Sequence, residues 1–144
     1  PPPPPPPPPP PYVEGETSQG EPILIVVDKD GQALPRTFNF DFDEADLSSG
    51  DFSVFNRYAE VLVGDRSLSI IIEGHCDERG TREYNLALGE RRAQAVADYL
   101  IGAGVRSSQI TATSLGEEVP VDAASNEAAW AKNRRAVLKV KGNE

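Results

Sequence analysis

The chain has one cysteine and one histidine among its 144 residues, and this scarcity excludes several kinds of chemistry. Cys76 alone cannot form an internal disulfide, and one histidine leaves no second ligand cluster at the spacing of a zinc site. Cys76 follows His75 directly, which would suit a metal or a thiol nucleophile, but neighbouring side chains near a strand end point to opposite sides. We therefore predict a small buried side chain at Cys76, no metal and no enzymatic activity. A thiol-dependent enzyme is the alternative.

Positive charge and long apolar stretches are also scarce. Lys and Arg number 14 against 23 Asp and Glu, which gives a net charge of -9 and argues against a nucleic-acid binder that must neutralise phosphates. Recognition of an anionic polymer would have to be local, at a stereospecific site. No stretch is long enough to cross a bilayer, and no signal peptide begins the sequence. The length suits one domain with a single core.

Proline is abundant at the amino terminus. Residues 1–11 are an unbroken proline run, and a polar stretch follows to residue 21. Such a run favours polyproline II at about 3.1 Å per residue, so it would form a stiff spacer about 34 Å long. We predict that residues 1–21 form a proline-rich tether outside the packed core and that residues 22–144 form one folded domain. A ligand for a proline-binding partner is the alternative interpretation.

Strand and helix patterns alternate through the rest of the chain. Apolar β-branched runs predict strands, and apolar residues at helical spacing predict helices. The predicted strands cover residues 23–27, 68–74, 110–115 and 136–140, and the predicted helices begin near residues 51, 84 and 125. This alternation predicts an α/β fold, a two-layer sandwich in which helices cover one face of a mixed β-sheet in βαβαβαβ order. Trp130 is expected to pack the last, short helix against the sheet.

The stretch 74–93, GHCDERGTREYNLALGERRA, carries the charges that suggest a binding site. Asp77 lies just beyond the carboxyl end of a predicted strand, where loops of α/β sheets carry chemistry. Arg92 emerges from an apolar stripe of the next helix, whereas Arg91 lies on a polar face. The Arg92 guanidinium could hold a carboxylate and Asp77 an ammonium. A structural Asp77–Arg92 bridge explains the same residues.

These residues resemble the OmpA-like peptidoglycan-binding domains and, among them, the peptidoglycan-associated lipoproteins. The resemblance is carried by GH-x-DERGT-x-EYN-x-x-LGERRA, by SLG at residues 114–116 and by NRRAVL at residues 133–138. It covers about residues 36–140, and residues 40–43 correspond to the first strand of the family and the loop after it. Cys76 departs from the pattern, since a small residue without a thiol is usual there.

The resemblance implies a site for diaminopimelate, whose side chain ends in a free ammonium and a free carboxylate. Asp77 would take the ammonium and Arg92 the carboxylate. Phe42, Asp43 and Leu88 would line the pocket, the first two partly through backbone donors. Further candidates come from the matched motifs: Arg79, Asn85, Asn133 and Arg134.

The implied function is non-covalent binding of peptidoglycan, without a cofactor. A protein of this kind would lie in the periplasm of a Gram-negative bacterium and tether the outer membrane to the wall through a lipid anchor upstream of Pro1. Its expected partners are the peptidoglycan stem peptide and TolB with other Tol-Pal components, but no nucleic acid. The alternative is the wall-anchoring subunit of a larger envelope machine, such as a flagellar stator or a secretion complex.

Overall fold

Six strands of the computed structural model, which describes residues 1–142, form one mixed β-sheet. In chain order the elements are β1 (Tyr12–Glu16), β2 (Pro22–Val26), β3 (Thr37–Asn39), α1 (Phe52–Gly64), β4 (Ser69–His75), α2 (Arg82–Gly102), β5 (Ile110–Gly116), α3 (Glu127–Asn133) and β6 (Arg135–Lys141). The sheet order is β1-β2-β6-β4-β5. Only β4 and β5 run parallel, and the other pairs are antiparallel. The predicted mixed α/β fold is confirmed.

The central strand β6 has β4 along its whole length on one side. Two strands therefore share its other edge: β3 pairs with the start of β6, where Phe38 lies opposite Ala136, and β2 pairs with its end, where Leu24 lies opposite Val140. This arrangement brings the chain that follows β3 close to the start of β6 and the end of β4.

The core lies between the sheet and α1 with α2. Alternate residues of β4 face it, so Ile70 and Ile72 are fully buried while Ile71 between them is half-buried. The matching stripe of α2 includes Leu88, Val96 and Leu100. Thr81 caps α2 by accepting a hydrogen bond from the Tyr84 N–H, which starts the helix two residues before the predicted position.

Two elements differ from the sequence predictions. The strand β1 lies within the predicted tether and pairs with β2 from Tyr12 opposite Val26 to Glu16 opposite Pro22. The prediction that residues 12–21 lie outside the packed core was therefore wrong at Tyr12, which packs against the core, while the division of the chain at residue 21 stays a prediction. The strand β3 ends at Asn39, so residues 40–43, which the resemblance assigned to a strand and the loop after it, lie entirely in the loop.

Candidate functional site

A small pocket opens at the carboxyl end of β4, between the loop after β3 and the first turns of α2. Its volume is about 100 Å³, which is well below the volumes of typical drug-sized sites, about 300–1,000 Å³, and suits a small head group. The pocket is lined by Phe42, Asp43, Cys76, Asp77, Arg79, Gly80, Tyr84, Asn85, Leu88 and Arg92. All five residues predicted as the main site, and two of the four further candidates, thus lie together.

Arg92 forms the buried end of this pocket and is fully excluded from solvent. Its Nε donates to the Glu44 carbonyl at 2.8 Å, and its Nη2 donates to the Asp41 carbonyl at 3.1 Å. Its Nη1 donates to the His75 carbonyl at 2.9 Å. The guanidinium therefore ties α2 to the loop after β3 and to the end of β4, and burial lowers the pKa of Arg92.

Asp77 is 4% exposed and pairs with arginines other than Arg92. Its Oδ1 and Oδ2 accept from Nε and Nη2 of Arg79 at 3.2 and 2.9 Å, and Nη1 of Arg134 lies 3.6 Å from Oδ2. Burial alone would raise the pKa of Asp77, but the hydrogen bonds and charge of Arg79 outweigh it and lower the pKa. Within residues 1–142 no Asp77–Arg92 ion pair forms, so the structural bridge considered from the sequence is wrong.

The Arg79 guanidinium lies between two aromatic rings at the mouth of the pocket. Its Cζ is 4.1 Å from the ring centre of Phe42 and 4.2 Å from that of Trp130. Trp130 also donates from Nε1 to a carboxylate oxygen of Glu78 at 3.1 Å. The Trp130 ring therefore contacts the loop between β4 and α2, while its expected packing of α3 against the sheet stays a prediction.

The loop after β3 presents Phe42 and Asp43 to the pocket. Phe42 is 56% exposed, and Asp43 adopts a left-handed backbone conformation with φ of 59°. Their backbone N–H groups donate to no acceptor within residues 1–142 and can therefore serve a ligand. The Tyr84 hydroxyl donates to Asp43 Oδ1, and this hydrogen bond raises the pKa of Tyr84.

Three residues that line the pocket were not among the predicted site residues: Cys76, Gly80 and Tyr84. Of these, Tyr84 could have been found from the sequence. It lies one turn before Leu88 and two turns before Arg92, so the helical spacing that selected Arg92 would also have selected it. Leu88 is buried and lines the pocket with an apolar side chain. Asn85 donates to the Asp77 carbonyl at 3.3 Å and to Glu117 at 3.1 Å, which fixes the loop that carries Asp77.

The structure places the remaining candidates and Cys76 in supporting positions. Arg134 donates to the Phe40 carbonyl and reaches Asp77 from behind the pocket. Asn133 lies outside the pocket, where its Oδ1 accepts from the N–H groups of Val121 and Asp122. Cys76 is buried as predicted, donates to the Asn85 carbonyl at 3.1 Å, and has its pKa raised by burial.

Among residues 1–142, no group of three or more His, Cys, Asp or Glu side chains is arranged to hold a metal ion. None of the helices in the same part of the chain has the length and apolar character needed to cross a membrane.

The fold and the sequence together define the class of protein. The profile of the OmpA family matches residues 39–134, which include the whole pocket. The chain is 47% identical over 103 residues to the peptidoglycan-associated lipoprotein of Pseudomonas aeruginosa and 42% identical over 110 residues to that of Pasteurella multocida. These alignments cover 72% and 76% of this chain. The chain therefore belongs to the OmpA family, as its sequence motifs predicted.

Two solved structures are also similar to this chain. The crystal structure of the peptidoglycan-associated lipoprotein from Burkholderia pseudomallei matches with a TM-score of 0.73 and 43% identity, over 74% of this chain and 91% of that one. The C-terminal domain of Helicobacter pylori MotB matches with a TM-score of 0.68 over 76% of this chain and 87% of that one, but at 20% identity, so it shares the fold alone. The chain spans 61% of the Pseudomonas aeruginosa relative and 73% of the Pasteurella multocida relative.

Proposed function

We propose that this protein binds peptidoglycan non-covalently by holding the free amino-acid end of diaminopimelate in the pocket between Asp77 and Arg92. The observation that carries the proposal is the presence of a carboxylate and a buried guanidinium in one pocket of about 100 Å³, with no bond between them in the described chain. A head group that carries both an ammonium and a carboxylate complements such a pair.

The proposed contacts follow from the chemistry of the lining. Asp77 accepts from the ammonium, while the carboxylate receives hydrogen bonds from Arg92 and from the backbone N–H groups of Phe42 and Asp43. The Arg92 guanidinium has five N–H donors and forms four hydrogen bonds within the protein, so one donor remains for the ligand. Leu88 contacts the methylene chain. Each charge-assisted hydrogen bond contributes about 1.5–3 kcal/mol, so one head group gives modest affinity and the polymeric wall adds avidity.

The wider role rests on the relatives. The relatives in Pseudomonas aeruginosa and Pasteurella multocida are named peptidoglycan-associated lipoproteins. We infer the same association here, in the periplasm at the outer membrane, with a lipid anchor upstream of Pro1 and no catalytic activity. The proline-rich segment would separate anchor from wall. TolB would contact a surface that overlaps the pocket, so TolB and peptidoglycan would compete for this chain.

Sedimentation with purified sacculi tests the proposal. Wild type should pellet with the sacculi, and Asp77→Asn, which removes the charge at nearly constant volume, should stay in the supernatant. Asp30→Asn is the matched control, because Asp30 is exposed in the turn after β2 and outside the pocket. Circular dichroism should first establish that all three proteins fold. Failure of the wild type to pellet would contradict peptidoglycan binding.

Competition with two stem peptides tests the zwitterion specifically. One peptide carries diaminopimelate at its third position, and the other carries lysine, which lacks the terminal carboxylate. The diaminopimelate peptide should displace the protein from sacculi at a concentration lower by at least about tenfold, the equivalent of one charge-assisted hydrogen bond. Equal potency would show that Arg92 and the backbone donors take no part in recognition.

A further inference from the structure

The Arg79 side chain occupies the place that the proposed function assigns to the ammonium of the ligand. Its guanidinium forms two hydrogen bonds to the Asp77 carboxylate and lies between the rings of Phe42 and Trp130, about 4 Å from each. A carboxylate flanked by aromatic faces is a common arrangement for binding a ligand cation. The cation subsite therefore consists of Asp77, Phe42 and Trp130, and in the free protein a residue of the chain itself fills it.

The charge balance of the pocket changes with the position of Arg79. The carboxylates of Asp43, Asp77 and Glu127 face the guanidiniums of Arg79, Arg92 and Arg134. With Arg79 inside, the cations and the anions are equal in number. With Arg79 outside, Asp77 loses its nearest cation and one negative charge is left in excess, which favours the ammonium of the ligand.

Only Arg79 among these three arginines is free to leave. Its side chain is 31% exposed, whereas that of Arg134 is 9% exposed and Arg92 is fully buried. An exposed carboxylate also stands next to it, since Glu127 Oε2 lies 4.0 Å from its Nη2. The side chain could rotate out of the pocket and retain an ionic partner at the surface.

We propose that Arg79 is an internal competitor that the ammonium of the ligand displaces, and that Trp130 then becomes part of the ligand-binding surface. This inference rests on the proposed function and adds a regulatory feature to the same site. It assigns to Arg79 the opposite role from a direct ligand contact. It also makes Trp130 a specificity-determining residue, because its ring face is covered by Arg79 in the free protein.

Calorimetric titration of the purified protein with the diaminopimelate stem peptide tests the competition. Arg79→Ala should bind about three- to tenfold more tightly than wild type, since a partly exposed ion pair with cation–π contacts contributes modestly. Arg79→Lys should fall between them, because lysine keeps the charge but loses the planar fork. Arg82→Ala is the matched control, because Arg82 is a nearby exposed arginine paired with Glu118.

The single tryptophan, Trp130, gives a second and independent readout. Addition of the peptide to wild type should change its fluorescence, because Arg79 leaves the ring face and the ligand takes its place. The free Arg79→Ala variant should already differ from free wild type, and Arg82→Ala should behave as wild type in both states.

The possible outcomes separate this inference from the proposed function. Weaker binding by Arg79→Ala would show that Arg79 contacts the ligand directly and would overturn the competition. Unchanged binding, equal to that of Arg82→Ala, would overturn it as well while leaving the proposed function intact. If neither wild type nor Arg79→Ala bound the peptide, the proposed function itself would fail and this inference with it.

Discussion

Arg92 joins three segments of the chain through its guanidinium, in addition to its proposed contact with a ligand. The carbonyl groups of Asp41, Glu44 and His75 all accept from it. Loss of the side chain would remove one donor from each of these carbonyl groups in a buried place and would open a cavity between α2 and β4. A variant at Arg92 therefore changes the fold as well as the site, and Asp77→Asn is the cleaner test of binding.

We expect Arg92→Ala to lower the free energy of unfolding by about 3–5 kcal/mol, the range observed when a buried charged network loses one partner. Urea denaturation followed by circular dichroism measures this loss. Arg91→Ala is the control, because the adjacent Arg91 is exposed and its substitution should change stability by about 0.5 kcal/mol or less. Equal stability of the two variants would mean that the guanidinium contributes little to holding the loop after β3.

Cys76 illustrates how burial decides between chemical roles. Its thiol is 4% exposed, donates to the Asn85 carbonyl and has a raised pKa, so little thiolate exists near neutral pH. We predict that iodoacetamide labels Cys76 at least about tenfold more slowly in the folded protein than in urea. Mass spectrometry of timed samples gives both rates. Labelling of the folded protein faster than that of a free thiol would instead support the thiol-dependent enzyme.

At the scale of elements, close contact between β4 and α2 sets the position of the pocket. A Cβ at Gly74 would lie 1.6 Å from the carbonyl oxygen of Gly89, so the two backbones touch where neither residue has a side chain. This contact brings Leu88, which precedes Gly89, and Arg92, which lies about one turn after it, beside the end of β4 that leads to Asp77. The pocket therefore depends on two glycines that do not line its apolar wall or bind a ligand.

We expect Gly74→Ala to lower the free energy of unfolding by about 1–3 kcal/mol and to weaken binding to sacculi, because the added methyl group pushes α2 away from the sheet. Gly64→Ala, at the end of α1, is the control, since a Cβ there meets no atom within 4 Å. Denaturation and sedimentation measure the two effects. Retention of both properties in Gly74→Ala would show that the helix can shift without cost to the site.

The elements that sequence patterns predicted well are those with strong periodicity. The run of β-branched residues predicted β4 almost to its ends. The apolar stripe predicted α2 and placed Arg92, rather than Arg91, next to the apolar face of the helix. The strand β1 was missed because it follows the proline run and contains Gly15 between two glutamates, a composition with low β-propensity. Its strand structure comes from pairing with β2, which a local pattern does not reveal.

The partner of Asp77 could not be read from the sequence for a related reason. Periodicity fixes which residues share a helix face, but Arg79 lies in a loop whose path depends on Gly80, with φ of 99°, and on the rings of Phe42 and Trp130. Those rings come from positions far apart in the chain. Most residues of the pocket were therefore predictable from motifs, while the pairing among them required the fold.

On the scale of the whole molecule, the helices α1 and α2 cover one face of the sheet and a network of charges lies on the other. Lys139 of β6 donates to both Glu73 of β4 and Glu21, and Lys141 donates to Glu21 at 2.9 Å. Glu21 belongs to the segment that joins β1 to β2, so the network links the amino-terminal hairpin to the central strands. Half-buried ion pairs of this kind give the fold a dependence on pH.

Glu73 determines the sign of that dependence. The nearby His75, whose Nε2 lies 3.6 Å from Oε1, and then Lys139 lower the pKa of Glu73 to about 2, although burial alone would raise it. The ordinary value is 4.5, so the unfolded chain takes up a proton first as the pH falls. The stabilisation by Glu73 is therefore complete above pH 4.5 and is lost as the pH falls from 4.5 towards 2.

We predict that Glu73→Gln lowers the free energy of unfolding by about 1–2 kcal/mol at pH 7, less than the pKa shift alone would give because solvent screens the pairs. The difference from wild type should shrink as the pH falls below 4.5, since protonated Glu73 and Gln are both uncharged. Urea midpoints at neutral pH and in the acid range measure this convergence. Glu90→Gln is the control, because Glu90 is exposed on α2 and far from the network. A Glu73→Gln deficit that stays constant into the acid range would assign the loss to packing rather than to the charge of Glu73.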